Sequence, residues 1–244
     1  MIKPVRISSG VTKPSSALFV GNSFYYYNNG ITTHLTQMLA ASQPAHKWRS
    51  TLVGISGAGL DWHDVESYFR PNAIGSFAFD PANNIVFNKL ERLFDLAILM
   101  DGSQGPIHPA LAQSFRDFGK RHCDTIRRHG AAPVFFMTWA YADKPEMTRP
   151  LADAYTRAGS ENDALVIPAG LAFACSIEQR RELDLYQPDK RHPSLAGTYL
   201  CTCLTYAALF EASPVGLTYT GGLDTETAQF LQSIARDALS DYVR

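Results

Sequence analysis

One serine and one histidine–aspartate pair stand near opposite ends of this chain. Ser23 ends an apolar, strand-like run at residues 17–23, and Asp189 precedes His192 by three residues in a turn that Pro193 follows. A serine becomes a good nucleophile only when an adjacent base takes its proton and a third group orients that base. A neutral imidazole can be this base near neutral pH. These three residue types could therefore carry acyl transfer from an ester, provided that the fold brings them together.

Each of these residues also has a purely structural interpretation. A serine after Gly-Asn is often a turn residue or a helix cap, and an aspartate before a helix is often a cap as well. A single His-Pro pair indicates little. The joint placement favours the chemical interpretation, because the serine lies at the end of the first predicted strand and the pair lies directly before a late, apolar helix.

The elements that must position these residues alternate between strand and helix. Apolar runs predict strands at residues 17–23, 48–55, 95–100, 133–139 and 165–167. Helical periodicity predicts helices at residues 30–41, from Leu111 until Gly130 ends the helix, at residues 151–158, from Leu195 onward, and after a last N-cap at Asp224. This alternation predicts a three-layer α/β/α sandwich with a mainly parallel, five-stranded sheet. Such sheets bind ligands at the edge where their strands end.

Length and composition predict one domain without a nucleic-acid or membrane partner. The chain has 244 residues, of which 45% are hydrophobic, and a formal net charge of −1. We expect a domain at residues 17–244 after an N-terminal extension at residues 1–16. Four cysteines do not suggest a disulfide framework, and no apolar run has the length of a signal peptide core or a membrane span. We therefore expect a cytoplasmic protein with reduced thiols, whose oligomeric state stays open.

The sequence shows neither the residue spacing of a metal site nor that of a nucleotide-binding loop. Asp61, His63 and Asp64 are crowded but lack a spaced set of partner ligands, and the other histidines are scattered. No glycine-rich loop with the spacing of a phosphate-binding loop occurs. We expect no metal and no other cofactor.

Two stretches of the sequence resemble a known superfamily of hydrolases. Phe19-Val20-Gly21-Asn22-Ser23-Phe24 resembles the first block of the SGNH/GDSL hydrolases, and the run from Leu185 to Pro193 resembles their last block, Asp-x-x-His-Pro. The resemblance implies a flavodoxin-like SGNH fold in which Ser23 is the nucleophile, His192 the base and Asp189 its orienting carboxylate. The sequences of Thr138-Trp139-Ala140 and of the run from Ser213 to Leu217 resemble those of a bacterial subgroup of the superfamily.

The second block is present, whereas the third departs from the pattern. Ser56-Gly57-Ala58-Gly59 resembles the second block, which implies that the Gly57 N–H joins the Ser23 N–H in an oxyanion hole. In the third block the family has Gly-x-Asn, whose asparagine side chain is a further donor, but this chain reads Asp101-Gly102-Ser103-Gln104. Either Ser103 or Gln104 takes over this donation, or the hole has two donors.

Aromatic residues follow both the serine and the glycine turn. Tyr25, Tyr26 and Tyr27 come after Ser23, and Trp62 and His63 come after Gly59. Aromatic faces beside a polar centre suit a sugar ring or an acyl group, so Tyr25, Trp62 and His63 are candidate substrate-binding residues; packing onto the sheet is the alternative interpretation. The irregular stretch at residues 60–92 is a candidate wall or lid of the pocket.

Together these features predict a serine esterase that removes a short acyl group, such as acetyl, from a carbohydrate or another small alcohol. Its partner would be a small ester substrate. Two alternatives stay open: a lipase-like or thioesterase-like hydrolase for longer acyl chains, and a carbohydrate-binding protein that has the same fold without the chemistry.

Overall fold

The structure is a computed structural model that describes residues 2–42, 44–74, 77–87, 89–90 and 92–244. Met1 of the expected extension, and residues 75, 76, 88 and 91 of the candidate lid, lie outside the described residues, as does residue 43.

The described strands form one parallel sheet and one separate hairpin. They are β1 (Ser16–Gly21), β2 (Arg49–Gly54), β3 (Phe77–Phe79), β4 (Ile85–Phe87), β5 (Leu96–Leu99), β6 (Ala132–Phe136) and β7 (Leu165–Ile167). Five of them pair in parallel in the order β2-β1-β5-β6-β7, and β3 pairs antiparallel with β4. The predicted five-stranded sheet is confirmed.

Helices cover both faces of this sheet. They are α1 (Gly30–Ala41), α2 (Val65–Tyr68), α3 (Ala112–Arg128), α4 (Thr148–Glu161), α5 (Ala169–Gln179), α6 (Leu195–Phe210) and α7 (Thr225–Val243). Alternate residues of β1 enter opposite cores: Phe19 packs with side chains of α1, α5, α6 and α7, whereas Val20 packs with side chains of α2, α3 and α4. This period of two in a strand covered on both sides explains why its sequence reads as a continuous apolar run. The three-layer sandwich is confirmed.

The strand order fixes where a ligand can bind. β1 lies between β2 and β5, so the chain leaves the first strand in one direction along the sheet and continues from β5 in the other. Such a switch point opens a crevice beyond the carboxyl ends of the strands. Ser23 follows β1 and residues 101–104 follow β5, so both segments lie at this crevice.

α6 anchors the late histidine turn. Nearly all of its side chains are buried, which is the pattern of a helix enclosed by other elements. The Ser194 hydroxyl accepts a hydrogen bond from the Gly197 N–H at 3.2 Å and so caps its first turn. The segment that ends at His192 therefore joins a fixed helix start rather than a free loop.

No helix among the described residues has both the length and the apolar character that crossing a membrane requires.

Candidate active site

The three residues expected to act together meet at the carboxyl edge of the sheet. The Ser23 Oγ lies 2.8 Å from the His192 Nε2, and the His192 Nδ1 lies 2.5 Å from an Asp189 carboxylate oxygen. A carboxylate only accepts hydrogen bonds at neutral pH, so the Nδ1 carries the proton and the Nε2 lone pair faces the serine hydroxyl. This tautomer is the one that can take the proton from Ser23.

Close packing behind Ser23 explains the glycine two residues before it. A Cβ on Gly21 would come within 2.8 Å of a ring carbon of Tyr25 and 3.1 Å of the Met100 Cβ. Tyr25 is fully buried, and its hydroxyl lies 3.5 Å from the Ile98 carbonyl oxygen. The prediction of Tyr25 as a substrate-binding residue is therefore wrong: the first tight turn after Ser23 sends this ring into the core.

Asn22 ties together the three loops that surround the serine. Its side-chain NH₂ donates to the carbonyl oxygens of Ala58 and Asp101, each at 3.0 Å. Its side-chain oxygen accepts a hydrogen bond from the Phe24 N–H at 3.2 Å and caps the turn that holds Ser23. An aspartate here would offer no donor to the two carbonyls, so asparagine joins the loops after β1, β2 and β5.

The Asp189–His192 turn is held by the aspartate itself. One Asp189 oxygen accepts hydrogen bonds from the N–H groups of Arg191 and His192, at 2.9 and 3.0 Å, and Lys190 takes the left-handed backbone conformation with φ +64°. Burial would raise the pKa of Asp189, but the hydrogen bonds from the His192 ring and these two N–H groups outweigh it and hold the pKa at about 2. The carboxylate is ionised at any working pH.

Aromatic rings fix the plane of the His192 imidazole. Tyr27 stacks on it with centroids 4.1 Å apart and planes inclined by 12°, and Phe24 meets it edge-on at 5.4 Å. The Trp139 indole N–H donates to the Arg191 carbonyl oxygen at 2.9 Å. The base is thus restrained on its face, on its edge and through the preceding peptide.

Three of the four residues expected in the oxyanion hole line one cavity. This cavity has a volume of about 450 Å³, and its wall includes Ser23, Gly57, Ser103 and His192. Gly57 has φ +73° and no atom within 4 Å of the place a Cβ would occupy, so only a glycine fits this turn without strain. Gln104, in contrast, is exposed and lines a neighbouring cavity of about 300 Å³. Of the two candidate replacements for the missing asparagine, Ser103 lines the cavity that contains Ser23 and Gln104 does not.

The other two candidate substrate-binding residues lie away from this cavity. Trp62 is 62% exposed and lines the neighbouring 300 Å³ cavity together with Gly57 and Ser103. His63 is buried; its Nε2 donates to the Gly21 carbonyl oxygen at 3.0 Å, and its Nδ1 lies 3.1 Å from the Tyr68 hydroxyl. Burial lowers the pKa of His63. The prediction that His63 contacts substrate is wrong, because its ring is buried and both ring nitrogens already contact the protein, at the Gly21 carbonyl oxygen and the Tyr68 hydroxyl.

Sequence reasoning missed two residues of the cavity wall, Tyr141 and Arg191. Arg191 precedes His192 directly, and Tyr141 follows the end of β6, so position at the carboxyl edge of the sheet could have indicated both. Tyr26 and Tyr27, which the sequence offered beside Tyr25, complete the aromatic part of the wall.

Asp101 is the buried carboxylate of the site, and it joins two of its loops. One of its oxygens accepts a hydrogen bond from the Leu60 N–H at 2.7 Å, and the His122 ring donates to the Leu60 carbonyl oxygen at 2.9 Å. Burial raises the pKa of Asp101 to about 6, although the Leu60 and Gly102 N–H groups oppose the rise. The loop that carries Gly57 is therefore fastened to the loop after β5 by a group that titrates near pH 6.

This raised pKa predicts how stability depends on pH. The folded state binds the Asp101 proton more tightly than the unfolded state does, so protonation of Asp101 stabilises the fold. This stabilisation is complete below pH 4 and is lost as the pH rises through about 6. Relative to Asp101→Asn, which does not titrate, we expect the wild-type free energy of unfolding to fall by roughly 3 kcal/mol between pH 4 and pH 7.5. Urea unfolding of both proteins at several pH values measures this change, and any fixed packing cost of the variant cancels. A constant or rising difference would contradict the assignment.

Among the described residues, no group of three or more His, Cys, Asp and Glu side chains is placed to hold a metal ion.

Comparisons with known proteins agree on the fold. No protein-family profile matches the chain, and no curated protein matches it by sequence. A DUF4886 family protein from Bacteroides uniformis has a similar structure, with a TM-score of 0.67 and 18% identity over 94% of this chain and 96% of that one. A proposed SGNH hydrolase from Slackia heliotrinireducens gives 0.58 and 19% identity, over 80% of this chain and 98% of that one.

A protein described as an acetylxylan esterase also has a similar structure. A catalytic mutant of Axe2, an acetylxylan esterase from Geobacillus stearothermophilus, gives a TM-score of 0.56 at 14% identity over 81% of this chain and 95% of that one. At these identities the similarities define the fold of this chain, which is that of the SGNH hydrolases.

Proposed function

We propose that this protein is a serine esterase that uses Ser23, His192 and Asp189 as its catalytic triad. The supporting observation is the pair of contacts, 2.8 Å from the Ser23 Oγ to the His192 Nε2 and 2.5 Å from the His192 Nδ1 to Asp189. The SGNH-like fold of the structural neighbours, which include an acetylxylan esterase, agrees with this proposal.

The geometry suits a two-step acyl transfer. The Ser23 Oγ attacks the ester carbonyl carbon while the His192 Nε2 takes its proton, and Asp189 stabilises the imidazolium that forms. The developing oxyanion accepts hydrogen bonds from the Ser23 and Gly57 N–H groups. The imidazolium then gives its proton to the leaving alcohol. Water, activated by the neutral His192, cleaves the acyl-enzyme and restores Ser23.

The substrate we propose is an ester of a short acyl group, with a carbohydrate or another small alcohol as the leaving group. A cavity of about 450 Å³ with walls of Tyr26, Tyr27 and Tyr141 suits a ring-shaped alcohol near the base that must protonate it. Longer acyl chains are the competing proposal, because the neighbouring 300 Å³ cavity adjoins the Gly57 and Ser103 walls. A series of p-nitrophenyl esters of increasing chain length separates the two.

A fluorophosphonate probe tests the nucleophile directly. The activated Ser23 oxygen should form a bond to phosphorus and expel fluoride, so that one mole of probe labels one mole of protein. We expect complete labelling of the wild type and none of Ser23→Ala, measured by intact mass and by mapping the labelled peptide. Ser233→Ala is the matched control, since it removes a hydroxyl outside the cavity wall that donates to the Gln229 carbonyl oxygen within helix α7. Folded wild-type protein that never labels would overturn the esterase and leave a binding protein.

A further inference from the structure

Two hydroxyl groups occupy the region where the resemblance implied an asparagine side chain. The Ser103 Oγ and the Tyr141 hydroxyl oxygen lie 2.5 Å apart, at the short end of the range for a hydrogen bond between two hydroxyls. Both residues are half-buried and line the cavity that contains Ser23. Tyr141 lies 38 residues beyond Ser103 in the chain, so only the fold joins them.

We propose that Ser103 and Tyr141 act as one donor unit, in which Tyr141 donates to Ser103 and Ser103 donates to the oxyanion. The inference rests on the proposed esterase function and completes its oxyanion hole. Ser103 would then be a catalytic residue, because it touches the reacting oxygen. Tyr141 would be a positioning residue, because it acts through Ser103.

A count of donors supports this unit. Each hydroxyl has one O–H, and the bond between the two uses one of them. Within the described part of the chain, neither hydroxyl makes another hydrogen bond. One O–H is therefore left for a third acceptor, and the cavity beside Ser23 is where such an acceptor can bind.

The direction of the bond follows from acidity and from the neighbouring charge. A phenol is a stronger acid than an alkyl alcohol, so Tyr141 is the better donor of the pair. The Arg191 guanidinium lies over the Tyr141 ring at 4.0 Å from its centroid, and this positive charge polarises the phenol further. Donation by Tyr141 in turn makes the Ser103 O–H a stronger donor, because linked hydrogen bonds reinforce each other.

The surrounding contacts hold both partners still. The Thr138 hydroxyl donates to the Ser103 carbonyl oxygen at 3.1 Å. Asp143 accepts from the Arg191 guanidinium at 2.7 Å, which keeps the cation in place over the ring. A donor held in advance of the reaction stabilises the oxyanion without reorganisation.

Three variants, two single and one double, test the unit with p-nitrophenyl acetate. We expect Ser103→Ala to lower kcat by about 10²-fold with little change in KM, as the loss of one oxyanion donor does. We expect Tyr141→Phe, which keeps the ring beneath Arg191, to lower kcat about tenfold. The double variant should be no slower than Ser103→Ala, because Tyr141 has nothing left to polarise. Equal factors for Tyr141→Phe in both backgrounds would overturn the proposal.

A replacement donor and a transition-state analogue separate this role from a structural one. Ser103→Asn supplies a carboxamide NH₂ that needs no phenol, so adding Tyr141→Phe to it should change kcat less than twofold. Inhibition by a trifluoromethyl ketone, whose adduct bears an oxyanion, should weaken in Ser103→Ala and Tyr141→Phe in proportion to the loss of kcat/KM. The acid limb of the kcat/KM profile should stay in place in both variants; a shifted limb would mean that Tyr141 acts on His192 instead.

The controls distinguish the failure of this inference from the failure of the esterase proposal. Tyr242→Phe removes a phenol hydroxyl from a comparable pair, with the Thr156 hydroxyl at 2.8 Å, whose residues do not line the cavity, and should leave kcat unchanged. If the wild type neither hydrolyses the ester nor reacts with the fluorophosphonate, the esterase proposal fails. If it does both while Ser103→Ala and Tyr141→Phe match it, only the donor unit fails.

Discussion

Replacing His192 with Gln should lower kcat/KM for p-nitrophenyl acetate by roughly 10⁴- to 10⁶-fold, and Ser23→Ala should do the same. Glutamine can still fill part of the space beneath Tyr27, but it has no lone pair of suitable basicity opposite the Ser23 hydroxyl, which lies 2.8 Å from the ring nitrogen. Steady-state kinetics with circular dichroism of each variant measure the loss in folded protein. Because the two residues act as a unit, Ser23→Ala with His192→Gln should be no slower than either alone.

Asp189→Asn probes the third member of the triad through the proton on His192. An asparagine NH₂ facing the Nδ1 would favour the tautomer with its proton on Nε2, where it blocks the transfer from Ser23. We expect a loss in kcat of roughly 10⁴-fold. In the wild type, a pKa of about 2 keeps Asp189 ionised above pH 4, so it should contribute no limb to the rate profile between pH 4 and pH 8. Activity of Asp189→Asn within tenfold of the wild type would contradict the assigned role.

The elements that carry the triad were predictable because local signals and the fold agree there. The strand before Ser23, the turn before His192 and helix α1, whose observed bounds Gly30–Ala41 equal the predicted ones, all have clear apolar periodicity or turn residues. Where the tertiary structure decides, the sequence misleads. Three tyrosines follow Ser23, and only the tight turns that end at Asn29 send Tyr25 into the core and leave Tyr26 and Tyr27 at the cavity.

Other elements lacked the signals on which prediction depends. Helix α5 follows β7 with only Pro168 between them, its cap makes no side-chain hydrogen bond, and its run of small apolar residues shows no polar face. The short strands β3 and β4 have exposed apolar side chains, so no alternation marks them within residues 60–92. The bond between Ser103 and Tyr141 joins two loops after different strands, a contact that depends on side-chain reach across the crevice and not on spacing in the chain.

Among the side chains near the site, we expect the Trp139 indole to contribute most to the free energy of unfolding. It is fully buried and lies between two parallel rings, Phe24 at 4.5 Å and Phe173 at 4.4 Å, while its N–H donates to the Arg191 carbonyl oxygen. Trp139→Ala should lower the free energy of unfolding by about 3–5 kcal/mol, because it leaves a cavity that two stacked rings cannot fill. Urea unfolding measures this loss.

Two further variants separate the stacking of Trp139 from its hydrogen bond and from general aromatic burial. Trp139→Phe keeps one ring in the stack but leaves the Arg191 carbonyl without its donor, so a smaller loss of about 1–3 kcal/mol is expected. Trp139 contacts Phe24, which follows the nucleophile, and Arg191, which precedes the base. Trp139→Ala and Trp139→Phe should therefore also lower kcat in the folded protein. Trp48→Ala, directly before the first residue of β2 and in edge contact with Phe210, should destabilise the protein without affecting kcat. A Trp139→Ala protein with wild-type kcat would show that this stack supports the fold alone and does not hold the base against the serine.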